Sequence, residues 1–165
     1  MNTCPTNNKE IKAFVINKFH KQIWGKGIGR KKKYYIEEFN PTYNHHQKDY
    51  IGANISWRAK MLIAQIRTNS HQLCCETGCW KRPKEAWEER VCTFCNSGKV
   101  ETEKHFILEC KAFKDNRDNY VNILTTSSWV NLFNEGTVVK LGELIIELSK
   151  KMVEIQKSTG KTRCP

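Results

Sequence analysis

The hydrophobic positions of this chain recur mostly at helical spacing. In residues 9–24, Ile11, Val15, Phe19 and Ile23 step by four with lysines between them, which predicts an amphipathic helix. Gly25, Gly27 and Gly29 end that pattern. Residues 47–69 predict the longest early helix: Ile51, Ile55, Ala59, Leu62, Ile63 and Ile66 trace one face, and Arg58, Lys60, Gln65 and Arg67 the other. Trp57 is expected at the edge of the apolar face, with Asn69 and Ser70 ending the helix. Further on, Phe113, Tyr120, Val121 and Leu124 predict a mostly helical stretch. Ser127 or Ser128 is expected to cap a short helix through Trp129, Leu132 and Phe133. Residues 137–157 predict the strongest helix of all, because Val138, Leu141, Leu144, Ile145, Leu148, Met152 and Ile155 form one continuous stripe. The expected class is therefore mainly α. Residues 1–46 supply a basic helix and loop, 47–157 a small helical domain, and 158–165 a disordered tail.

One window breaks the helical pattern and has a chemical reason to do so. In residues 91–110, Cys92, Cys95, His105 and Cys110 read C-x2-C-x9-H-x4-C. Two cysteines separated by two residues can reach one ion from a tight turn, and a histidine and a cysteine beyond them can close a tetrahedron, as in structural zinc sites. The intervening residues suit this role. Gly98 in the turn 96–99 can take a positive φ, Thr102 can cap a helical turn, and Glu103 lies where a negative charge suits the helix dipole. The expected unit is an inserted zinc module made of a short β-hairpin carrying Cys92 and Cys95, followed by a helix presenting His105. Residues five apart diverge on an ideal helix, so Cys110 is expected where the helix loosens or ends. A redox role for the Cys92–Cys95 pair would want the motif opening a helix, whereas turn residues follow Cys95. His71, Cys75 and Cys79 form a sparser group, weighed as a second metal site against buried thiols. Trp80 and Trp87 are expected in the core around the zinc module.

Two stretches of this region carry a resemblance. The segment ERVCTFC followed by GKVETEKHFILECKAF resembles the C-terminal zinc-binding segment of reverse transcriptases of non-LTR (LINE-type) retrotransposons. The upstream run IRTNSHQLCCETGCW is similar to the R-T-x-x-H-x-L-x-x-E-x-G-R-W stretch that precedes the cysteines in such proteins. Arg67, Thr68, His71, Leu73, Glu76, Gly78 and Trp80 match it, and Cys79 stands where arginine is common. The similarity covers about residues 61–120. It implies a context of template RNA or target DNA, and a reverse transcriptase or another protein as partner.

Charge adds a direction to this picture. The net charge is +11. Residues 1–60 carry a surplus of eight positive charges, 61–110 are neutral, and 111–165 carry a surplus of three. Phosphate attraction is thus expected mostly from the N-terminal third. The most basic window is 25–35, where Arg30, Lys31, Lys32 and Lys33 precede Tyr34, a pattern suited to phosphate contacts with base stacking, or else to a solvated charge run. Arg58, Arg67, Lys81 and Arg82 are the other candidate nucleic-acid contacts. The glycines of 25–29 do not make a phosphate loop, since no GK is followed by Ser or Thr.

No apolar run approaches the roughly 20 residues of a membrane helix. The first residues lack the apolar stretch of a secretory signal, so an intracellular setting, nucleus or cytoplasm, is expected, with the eight cysteines acting as thiols and ligands. The chain has no Asp-Asp pair for two-metal polymerase chemistry, and four zinc ligands leave no open position, so an enzyme is not expected. The expected function is a zinc-stabilised nucleic-acid-binding module without polymerase motifs. A domesticated or remnant zinc-containing protein-interaction module is the alternative.

Overall fold

The computed structural model describes residues 33, 37–38 and 49–160. The helix expected at 9–24, with Arg30, Lys31, Lys32, Tyr34 and the tail after Gly160, lies outside the described residues. Within them the chain is mainly helical: α1 (Asp49–Gly52), α2 (Trp57–Arg67), α3 (Cys74–Thr77), α4 (Lys114–Asp118), α5 (Val121–Thr126) and α6 (Glu135–Thr159). A π-helical turn (His105–Glu109) and 3-10 turns at Lys111–Phe113 and Asn131–Phe133 complete the order.

The long helix expected over 47–69 is two helices. Ser56 caps α2, its hydroxyl accepting from the Ala59 N–H at 3.2 Å, and so starts a new helix after the break at 53–56. The C-terminal stripe is a single 25-residue helix whose Val138, Leu141, Leu144, Ile145, Leu148 and Met152 are all buried. It ends at Gly160, whose φ of 62° is the left-handed geometry that glycine takes without a Cβ penalty. Helices α2 and α6 pack on one another through Ala59, Ile63 and Ile66. Gly142 lets them approach closely: a Cβ there would stand 3.1 Å from that of Ala59.

The same apolar cluster continues into the cysteine-rich region. Ile63 and Leu144 belong to one buried group with Phe106, Phe113 and the sulfurs of Cys92, Cys95 and Cys110. Phe106 and Phe113 meet edge to face at 5.2 Å, and Phe94 lies 5.6 Å from Phe113. The module is therefore built into the helical core. Three tryptophans depart from expectation. Trp57 is 79% exposed, Trp80 56% and Trp87 47%, and the buried positions between the helices and the module are held by smaller side chains such as Ala59, Ile63 and Phe106.

Candidate metal centre

The arm carrying the first two cysteines is held by backbone bonds. The Cys92 N–H donates to the Lys99 carbonyl at 2.8 Å and the Glu101 N–H to the Arg90 carbonyl at 2.9 Å. Between these bonds Val91 and Val100 form a single antiparallel bridge. The expected β-hairpin is absent among the described residues. The chain bends through 93–98 to bring Cys95 back beside Cys92, and this bend leaves no room for a ladder. Gly98 takes φ 66° in that turn, as its position suggested.

The second half of the site starts at Thr102, whose hydroxyl accepts from the His105 N–H at 3.0 Å. The chain then forms a π-helical turn, closed by a 2.7 Å bond from the Cys110 N–H to the His105 carbonyl. This five-residue closure answers the problem that an α-helix poses at this spacing. Wider winding brings Cys110 back under His105, and π-turns of this kind recur at functional sites.

The four ligand atoms converge. Cys92 Sγ lies 3.7 Å from Cys110 Sγ, and Cys95 Sγ lies 3.3 Å from His105 Nε2. All four donors fall within 4.8 Å of one another, all four residues are buried, and the cluster is compatible with holding a metal ion. His105 Nδ1 is also buried, and Glu109 Oε2 stands 3.8 Å from it, itself held by Lys99 Nζ at 2.7 Å. Burial holds the imidazole pKa below its ordinary value, against the pull of Glu109, so the ring is neutral and its Nε2 can donate to a metal. The Cys92 thiol is pushed far up by its hydrogen bond with Cys110 and by burial, so it would release its proton to solvent only when a metal ion binds the sulfur.

A second group, His71, Cys75 and Glu103, also lies within 4.8 Å. Its bonding is that of a structural pair. The Leu73 N–H donates to His71 Nδ1 at 3.2 Å, which leaves the ring proton on Nε2, facing Glu103 Oε1 at 2.5 Å. Cys79, grouped with His71 and Cys75 on sequence, instead faces Arg90, whose Nη1 is 2.8 Å from its sulfur. Arg90 also donates to the carbonyls of Cys75 and Glu85, and the Glu101 carboxylate accepts from the Cys74 N–H at 2.8 Å. These bonds tie the run 71–80 onto the segment that carries the four-donor cluster. Sequence reasoning missed Glu101 and Glu103 as its anchors. Cys74 is disulfide-bonded, so the expectation of thiols and ligands alone fails at that residue.

The candidate nucleic-acid contacts divide. Lys33 is exposed and stands 3.8 Å from Glu37. Arg58 and Arg82 are exposed. Lys81 is half-buried and paired with Glu85 at 2.9 Å. Arg67, expected on the polar face of its helix, is buried with its guanidinium 5.2 Å from the Tyr50 ring centre and 5.9 Å from that of Phe133. Those two rings come from distant parts of the chain and claim the cation. No helix among the described residues is long and apolar enough to cross a membrane. No protein-family model, curated protein or solved structure matches the chain.

Proposed function

We propose that Cys92, Cys95, His105 and Cys110 hold one structural Zn²⁺, and that the ion stabilises an intracellular nucleic-acid-binding module. The observation that carries the zinc reading is the spacing of the donors. A tetrahedral zinc with bonds of about 2.3 Å to sulfur and about 2.0 Å to nitrogen sets edges of roughly 3.8 Å between sulfurs and 3.6 Å between sulfur and nitrogen. The separations of 3.7 and 3.3 Å lie close to these. Three sulfurs and one nitrogen are soft donors that favour zinc over magnesium or calcium. Four protein ligands leave no position for a reacting water, so the ion's role is structural and no catalysis is proposed. The carboxylate of Glu109, 3.8 Å from His105 Nδ1, stands on the side of the ring where outer partners at zinc sites lie.

The nucleic-acid reading rests on the concentration of positive charge in residues 1–60 and on the resemblance to the zinc-binding segment of retrotransposon reverse transcriptases. Its test is a binding isotherm with a labelled oligonucleotide at several salt concentrations. The expected result is a linear fall of log affinity with log salt, with a slope of about 0.7–0.9 per phosphate contact. An affinity that ignores salt overturns it. The exposure of Trp57 and Trp87 and the withdrawal of Arg67 favour the second reading, a protein-interaction module. Salt-insensitive capture of a protein partner with no oligonucleotide binding would select it.

A further inference from the structure

Between α2 and α6 lies a cavity of about 300 Å³ that the zinc reading does not use. Its floor is apolar, formed by Leu62, Ile66, Phe106, Ile145 and Met152. At its rim stand two exposed side chains, Arg58 and Trp80. Gln65 and Ser149 place hydrogen-bonding groups on the wall. His71 lines it too, but both its ring nitrogens are committed, to Glu103 and to the Leu73 N–H.

We propose that this cavity takes one unstacked nucleotide of a single strand, its base against Trp80 and the apolar floor, its phosphate on Arg58. This rests on the nucleic-acid reading above and narrows it to single strands. Three observations select the occupant. The volume is at the lower end of small-molecule sites and too small for a helix or a strand pair. An exposed indole beside an apolar floor suits a flat ring, since every base has a stacking face. Arg58 carries no ion pair among the described residues, whereas Lys81 and Arg67 are occupied, so it is the rim's available anion partner on a chain of net charge +11. A buried base in this pocket is inaccessible to a duplex, where the bases are paired and stacked.

The test compares a labelled single-stranded oligothymidylate with a duplex of equal length, binding wild type, Trp80→Ala, Arg58→Ala and Ser149→Leu. Trp80 and Arg58 are exposed, and the melting temperature of each variant reports whether the fold is kept. The leucine fills the cavity from α6, and its melting temperature reports whether the fold is kept. Trp80→Ala is expected to weaken single-strand binding on the order of tenfold while leaving duplex affinity unchanged. Arg58→Ala is expected to lower the single-strand salt slope by about one contact. Folded Ser149→Leu is expected to resemble Trp80→Ala. Equal weakening on both substrates, or no change in Trp80→Ala, overturns the pocket while salt-dependent binding leaves the broader reading standing; an apolar peptide side chain is then the occupant to seek. Absence of binding to either oligonucleotide by wild type removes both.

Discussion

Gly78 is a small residue with a large constraint. A Cβ there would stand 2.7 Å from Cγ and Cδ of Arg90 and 2.6 Å from Glu85 Oε2. Arg90 cannot swing aside cheaply, because its guanidinium is fixed on the Cys75 and Glu85 carbonyls. Gly78→Ala is therefore expected to cost about 1–3 kcal/mol, the usual range for overpacking, seen as a lower urea midpoint with unchanged zinc content. His105 gives a second prediction at this scale. Its pKa lies below 6.5, chiefly because of burial, so below pH 6.5 the unfolded chain binds more protons than the folded one. Stability is full above that value and is lost as pH falls from it through the lower folded-state pKa. Competition between protons and the metal for the same nitrogen acts in the same direction. The melting temperature of the zinc-loaded protein is expected to drop between pH 7.5 and 5.5; a flat profile would argue that His105 holds no ion. The four donors were legible because cysteine and histidine at ligand spacing have few other uses. The carboxylates around them were not, since Glu103, which pairs with His71, and Glu109, which faces His105, look like ordinary helix-surface residues. Arg67 was misread because a helical period assigns a face and cannot see aromatic rings arriving from distant segments.

Helix α6 was legible almost to its ends, because a seven-residue apolar stripe over 25 residues leaves one way to bury itself. The region 47–69 was less so. Its apolar period continues across Ser56, and only the cap bond to Ala59 N–H shows that a new helix begins. The π-turn was also outside reach of pattern reasoning: the divergence of residues 105 and 110 on an α-helix was visible, but not how the backbone resolves it. Tyr120 links the α4–α5 junction to α6, its hydroxyl donating to Glu147 Oε1 at 2.8 Å. Burial and that carboxylate push its pKa up to about 12. Tyr120→Phe is expected to lose about 1 kcal/mol at neutral pH. The raised pKa means that the wild-type advantage is full below pH 10 and fades as pH rises toward 12. Paired denaturation curves at pH 8 and 11.5 check this; a gap that widens with pH contradicts it.

At the scale of the molecule, the cysteine sulfurs and the helix stripe belong to a single core. Loss of the ion would leave three thiols and an imidazole facing one another at the centre of that core, so metal binding and folding are expected to be one event. Separation of charge follows from the same arrangement, with the neutral middle third busy holding the fold and the positive surplus lying mostly before it. The most direct test is metal content by mass spectrometry, with circular dichroism, on wild type, Cys95→Ser and His105→Ala. The account predicts about one zinc per chain in the wild type, and loss of both the zinc and the cooperative melt in each variant. A metal-free wild type that melts cooperatively, or variants that keep zinc and melt unchanged, would contradict it.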